Sequence, residues 1–327
     1  GRVAAGGRDA SFLRMGAAAA REDPAAREIK NFLTQRAAQT LIFILETGRD
    51  EITADWLEDF KNHTGFKRYH GYGALKLDWD DYVSGLLREP PATVVVQMKR
   101  RGNGVGGWSK NNPYLQDHVY EYEEDIEPRK LAARLMILRE EIAKEWQDDL
   151  ALITRENDEV WRSFFEKARE KGVDALINMQ LPSDVFAHDV NHGGTLYRGG
   201  SYDLLKRLST LRASEKMMRS FKTSSKSVEG GVKAEWLERM MTVYGAEFEG
   251  DAGYAVDRKF LESLLSSSPK LITKEGSGET VMLSPVGIVE ELLQERANIA
   301  AMWSSYITDI VGDHTEIQRA LLTDTAV

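Results

Sequence analysis

The sequence predicts an α+β protein that is internally duplicated, with two pseudo-equivalent domains, each of helices plus a small antiparallel sheet. Three observations point there. Trp56-Leu57-Glu58 returns as Trp236-Leu237-Glu238, and each copy reaches a glycine, Gly65 and Gly245, nine positions after its Trp, at a step of 180 residues. A step of 178 then pairs Tyr82 with Phe260, Leu86-Leu87 with Leu264-Leu265 and Pro91 with Pro269. A step of 157 pairs Pro128 with Pro285, Arg139 with Arg296, Ile142-Ala143 with Ile299-Ala300 and Trp146 with Trp303. With only seven Trp in the chain, two Trp pairs in register are hard to obtain by chance. A unit this long is a duplicated domain, not a short solenoid repeat.

The elements follow in order. Ile29, Phe32, Leu33, Arg36, Ala37, Leu41 and Leu45 stand near helical spacing and predict a helix over 24–47, ended by Gly48. Thr53 or Asp55 caps a second helix carrying Trp56, Leu57 and Phe60, which Gly65 stops. Asp78 caps a short third helix, closed by Pro90-Pro91. Thr93–Met98 is β-branched and short, and His118–Tyr122 alternates, so both read as strands. Leu131, Leu135, Leu138, Ile142, Trp146, Leu150 and Ile153 form one apolar stripe on a long last helix. The second copy repeats that stripe as Ile288, Leu292, Glu295, Ile299, Trp303, Ile307 and Ile310, and its strands are Lys270–Thr273 and Thr280–Leu283. The expected organisation is an N-terminal arm (1–29), a first repeat domain (30–154), a connector (155–201) and a second repeat domain with a C-terminal tail (202–327). The connector holds a charged amphipathic helix from Asn157 and then a loop. A two-stranded hairpin is unstable alone, so each must pack on helices, join a larger sheet or pair with another molecule.

The bulk composition excludes several functions. A net charge of −9 argues against nucleic acid, whose phosphates call for a basic face. No apolar run approaches the roughly 18 residues of a membrane span. The absence of cysteine removes disulfides, thiolate metal sites and cysteine nucleophiles. The leading stretch, rich in Ala, Gly and Arg and nearly free of acid, resembles the tail of an organelle-targeting presequence or the start of a matured chain. A remnant unrelated to function is equally open.

Candidate chemistry is sparse. His188 and His192 have the i, i+4 spacing of a zinc pair, but two glycines follow and the glutamate of HExxH is missing, so a polar loop is the better reading. The GNGVGG run at 102–107 lacks the helix that a dinucleotide cradle opens, and reads as a hairpin tip beside basic Lys99, Arg100 and Arg101. Glu121, Glu123, Glu124, Asp125 and Glu127 lack the ligand alternation of a calcium loop and read as a solvated run. His63 and His70, near Asp78, Asp80 and Asp81, have no histidine counterparts in the second copy. No catalytic, cofactor-binding or metal-binding residue is therefore expected, and no cofactor. Arg139 and Arg296 are the one matched charged pair. Each either pairs with a carboxylate of its own unit or marks an equivalent contact on each half.

The duplicated WLE…G blocks, the LL…P segments and the RxxIAxxW helices give the chain a form that resembles the pyrenoid shell proteins of diatoms and related algae. The resemblance covers residues from about 30 to 322. It implies a chloroplast protein, not an enzyme, that self-assembles into a sheet around the Rubisco-filled pyrenoid and supports carbon dioxide concentration. Its partners would be itself and Rubisco. The N-terminal arm, strand edges and the tail TDTAV are the expected connectors. Two alternatives remain: an enzyme or metal-binding protein with a site between the halves, and an accessory subunit of a photosynthetic complex.

Overall fold

The computed structural model describes residues 22–63, 65–100, 118–172, 180–181, 193–223, 228–248, 254–273 and 278–325. In chain order these form α1 (Pro24–Thr47), α2 (Glu51–Asp59), α3 (Trp79–Arg88), β1 (Ala92–Arg100), β2 (His118–Ile126), α4 (Pro128–Lys171), α5 (Arg198–Thr223), α6 (Val228–Phe248), α7 (Val256–Leu265), β3 (Lys270–Thr273), β4 (Thr280–Leu283), α8 (Pro285–Tyr306) and α9 (Ile310–Thr325). The described chain is mostly helical, with two antiparallel two-stranded sheets.

Proline has no N–H to lose at a helix start. Pro24 accordingly opens α1, and the Asp23 carboxylate accepts from Ala25 N at 2.8 Å. Ala26 and Ile29 are already buried, so the arm expected over 1–29 ends before Pro24. Apolar spacing implied a helix with one buried face. Instead every residue from Phe32 to Ile42 is buried, and so is every residue from Ser201 to Leu211 in α5. Buried polar groups must find partners. Gln35 donates to Gly71 O at 2.7 Å and accepts from Ala74 N at 2.9 Å. Gln39 donates to Phe66 O at 2.8 Å and Tyr69 O at 2.9 Å. One polar face of α1 thereby pins the loop that joins α2 to α3.

Helix α2 is capped by Asp50, whose carboxylate accepts from Thr53 N at 3.2 Å, not by Thr53 or Asp55. It ends at Asp59, ahead of Gly65, because Lys61 and Asn62 take left-handed φ values of 57° and 62°. Gly65 (φ 76°) sits in a turn, whereas Gly245 lies inside α6, so the matched glycines do not share a role. Helix α3 begins after Asp78 as expected. Its free N–H, Trp79 N, is satisfied by Asn31 Oδ1 of α1 at 2.7 Å, and Asn31 Nδ2 holds the Asp78 carboxylate at 3.2 Å.

Helix α4 runs unbroken for 44 residues. The boundary expected at 154/155 falls inside it, and the connector helix is its continuation. Neither Gly nor Pro interrupts the sequence after Pro128 until Gly172, and the stripe continues through Asn157, Val160 and Phe164, all buried. In the second half Asp309 accepts from Gly312 N at 3.0 Å, a capping bond, and the helix divides there into α8 and α9.

Helix α1 packs on α2, α3 and α4, while α5 packs on α6, α7 and α8. Helices α4 and α8 pack on each other across the halves. The buried residues of both halves form one contiguous cluster that includes the stripe residues other than Glu295, with Trp146 and Trp303 each 0 % exposed. In the hairpins Ala92 pairs with Ile126, and Lys270 pairs with Leu283. Ile126 and Leu283 are both 1 % exposed and root their hairpins in the core. The step of 178 carries Ala92 to Lys270 and the step of 157 carries Ile126 to Leu283, so the two sequence steps reproduce the pairing register.

Candidate functional site

His63 is buried: its Nδ1 lies 2.6 Å from Phe60 O, and its Nε2 accepts from Lys76 N at 3.0 Å. Both ring nitrogens are thus committed to holding the loop, and burial lowers the imidazole pKa. His70 packs against Tyr254 of the other half, with ring centroids 4.6 Å apart and the rings tilted by 38°. His188, His192 and the 102–107 glycine run lie outside the described residues. Of the acidic run, Glu121 accepts from Gln97 at 2.7 Å, Asp125 from Thr93 at 2.8 Å and Glu127 from Lys130 at 2.6 Å. Among the described residues no group of three or more His, Asp or Glu is placed to hold a metal ion.

The matched arginines sit at the seam between the halves, and their contacts cross it. Arg139 Nη1 lies 2.7 Å from His314 Nε2 in α9, and Arg296 Nη1 donates to Asn157 Oδ1 in α4 at 3.2 Å. A step of 157 carries Arg139 to Arg296 and Asn157 to His314, so each half's arginine reaches the other half's partner. Asn157 and His314 lie at the same step just beyond the apolar stripe, where their differing side chains give no sign of a shared role. The second environments differ. Arg296 Nη2 meets the Asp257 carboxylate at 3.1 Å, both side chains 0 % exposed. Arg139 instead lies over the Trp79 ring, 4.7 Å from its centroid. Burial pulls the Arg139 guanidinium down to about 10, against the pull of Asp313, Asp80 and Glu22. Since an arginine donates, His314 Nε2 is the bare acceptor, and Nδ1 carries the proton towards Glu140 Oε1 at 3.0 Å. Burial and the adjacent Arg139 hold His314 down at about 4.

A groove of about 650 Å³ also lies between the halves, between α1 and α5. Phe32, Leu208 and Leu211 line it beside Glu28 and Arg212. Glu28 and Arg212 pair with each other, with Nε to Oε1 at 2.9 Å, so this charge is already compensated. The Tyr72 hydroxyl in the groove donates to Phe248 O.

The surface offers two further features. Among the described residues each sheet has two strands, so each strand has one side without a described strand neighbour. Apolar residues stand exposed on these hairpins: Val95 is 56 % exposed and Leu271 74 %. Phe165 and Leu322, again one step of 157 apart, are exposed on the far ends of α4 and α9. Among the described residues, no helix is long and apolar enough to cross a membrane. No protein-family model, curated protein or solved structure matches the chain.

Proposed function

We propose that this chain is a self-assembling structural protein of the pyrenoid-shell kind, tiling laterally into a sheet around the Rubisco-containing pyrenoid of the chloroplast and supporting carbon dioxide concentration. The observation that carries the reading is the pair of hairpins in matched register, each rooted by one buried residue and each, among the described residues, with edges that no further strand pairs. We take the halves to be copies of one ancestral unit. The register, the reciprocal contacts of Arg139 and Arg296, and the shared order of three helices, hairpin and helix support this. Such a chain carries two similar edges, and contacts that repeat without closing build extended arrays. The proposed partners are further copies of the chain, with Rubisco on the enclosed side.

The test is sedimentation and negative-stain microscopy of the purified full chain over rising concentration near neutral pH. Sheets or tubes are expected. A monodisperse monomer at high concentration overturns the reading. Removing residues 1–21 is expected to weaken assembly while leaving the melting temperature nearly unchanged. A longer deletion would cut into α1 and remove Glu28, the partner of Arg212. A second reading, a binding protein or enzyme with its site between the halves, draws on the groove between α1 and α5. It predicts the monodisperse particle instead.

A further inference from the structure

The four strands differ in how well they suit pairing with another molecule. β2 carries Glu121, Glu123, Glu124 and Asp125. Two β2 strands side by side would bring these carboxylates together, and like charges facing each other across strands are destabilising. β3 and β4 are four residues each. β1 is nine residues long and has neither charge nor proline from Ala92 to Met98. Its exposed face carries Thr93, Val95 and Gln97, while Val94 packs towards the core on the other face.

We infer that β1 is the edge at which two copies of the chain join, pairing antiparallel with β1 of a second copy about a two-fold axis at Val95. The inference rests on the self-assembly proposed above and names its contact. The register follows from the sequence of the strand. Pro91 has no N–H to give a ladder and Lys99 is charged, so the usable segment is Ala92–Met98, and its longest self-overlap is centred on Val95. Thr93 then faces Gln97, Val94 faces Val96 and Val95 faces itself. A one-residue slip would set the exposed face of one copy against the half-buried face of the other. The product is a four-stranded sheet in the order β2-β1-β1-β2, with the acidic strands outermost, where they block further growth at that site. Extension of an array then falls to the second hairpin.

The chain has no cysteine, so Val95→Cys introduces a single thiol. Directly opposed residues in antiparallel strands lie about 4.5–5.5 Å apart at Cα, within the disulfide range. The control is Glu123→Cys, which pairs with Val95 inside the hairpin on the same exposed face but sits on β2. Under mild oxidation the Val95→Cys chain is expected to form disulfide-linked dimers at least about tenfold faster than Glu123→Cys, the mark of a high local concentration. A second variant, Val95→Lys, sets two ammonium groups face to face while each keeps Glu123 beside it in its own hairpin. It should weaken assembly at low salt and recover partly as salt rises. If the full chain forms sheets yet Val95→Cys cross-links no faster than the control, the β1 contact is wrong and the assembly reading stands. If no array forms but Val95→Cys still dimerises selectively, the contact stands and the assembly reading fails. Absence of both results overturns both.

Discussion

The same substitution at the two sequence-matched arginines, Arg139 and Arg296, should have very different costs. Methionine keeps the length and much of the volume of arginine and removes its charge. In Arg296→Met the buried Asp257 carboxylate loses its partner at 3.1 Å, and its other oxygen, Oδ1, has no hydrogen bond to fall back on. Removing one member of a buried pair costs about 3–5 kcal/mol. Arg139 has no carboxylate within ion-pair distance among the described residues, and its Nε and Nη2 are buried without hydrogen bonds. Burial draws its pKa down to about 10, which corresponds to about 3 kcal/mol working against the buried charge. Arg139→Met gives up a cation–π contact worth about 0.5–2 kcal/mol and leaves His314 Nε2 without a donor, about another 1–3 kcal/mol. Loss and relief nearly cancel, so a net change within about 2 kcal/mol is expected. Urea denaturation of both variants at pH 7, compared at constant m-value, measures the difference. Equal losses at the two positions would refute the reasoning, because they would mean that Arg139 has an ionic partner as strong as Asp257.

Three further outcomes are expected. Trp146→Ala and Trp303→Ala should each cost about 3–5 kcal/mol in chemical denaturation, and Phe should cost clearly less, since neither indole N–H has a partner to lose. For His314 the folded pKa of about 4 lies below the unfolded 6.5, so the unfolded chain takes up the proton first. Stability should therefore fall as pH drops from about 6.5 to 4 and level off below, by roughly 2 kcal/mol after allowance for solvent screening. His314→Asn, the residue type at the equivalent Asn157, should flatten that part of the pH profile, and an unchanged slope would remove His314 as its source. Asn31→Ala should cost about 1 kcal/mol in thermal or urea unfolding, the usual value of a lost helix cap, because Asn31 Oδ1 satisfies Trp79 N.

Local periodicity made much of this fold legible. The stripe from Leu131 to Ile153 and the matching one from Ile288 to Ile310 mark the buried faces of α4, α8 and the start of α9, because a 3.6-residue period depends only on which residues recur. The β-branched run at Thr93 and the prolines at 91 and 269 placed the hairpins, and the two steps even contain their register. An apolar stripe does not say what covers it, however. That α4 and α8 close on each other, and that Arg139 finds its partner in the opposite half, depends on packing between distant segments. So does the burial of α1 from Phe32 to Ile42 and of α5 from Ser201 to Leu211 on every side: Gln35 and Gln39 look like a solvent face until loop carbonyls arrive to bond them. The boundary expected at 154 falls inside α4 because Asn157, Val160 and Phe164 keep the period and are buried, Asn157 donating to Leu293 O of the second half. Sequence alone thus determined which residues repeat and which faces are apolar. The tertiary structure alone decided which surfaces meet, because a buried polar group becomes stable only when its partner, far away in the chain, is held beside it.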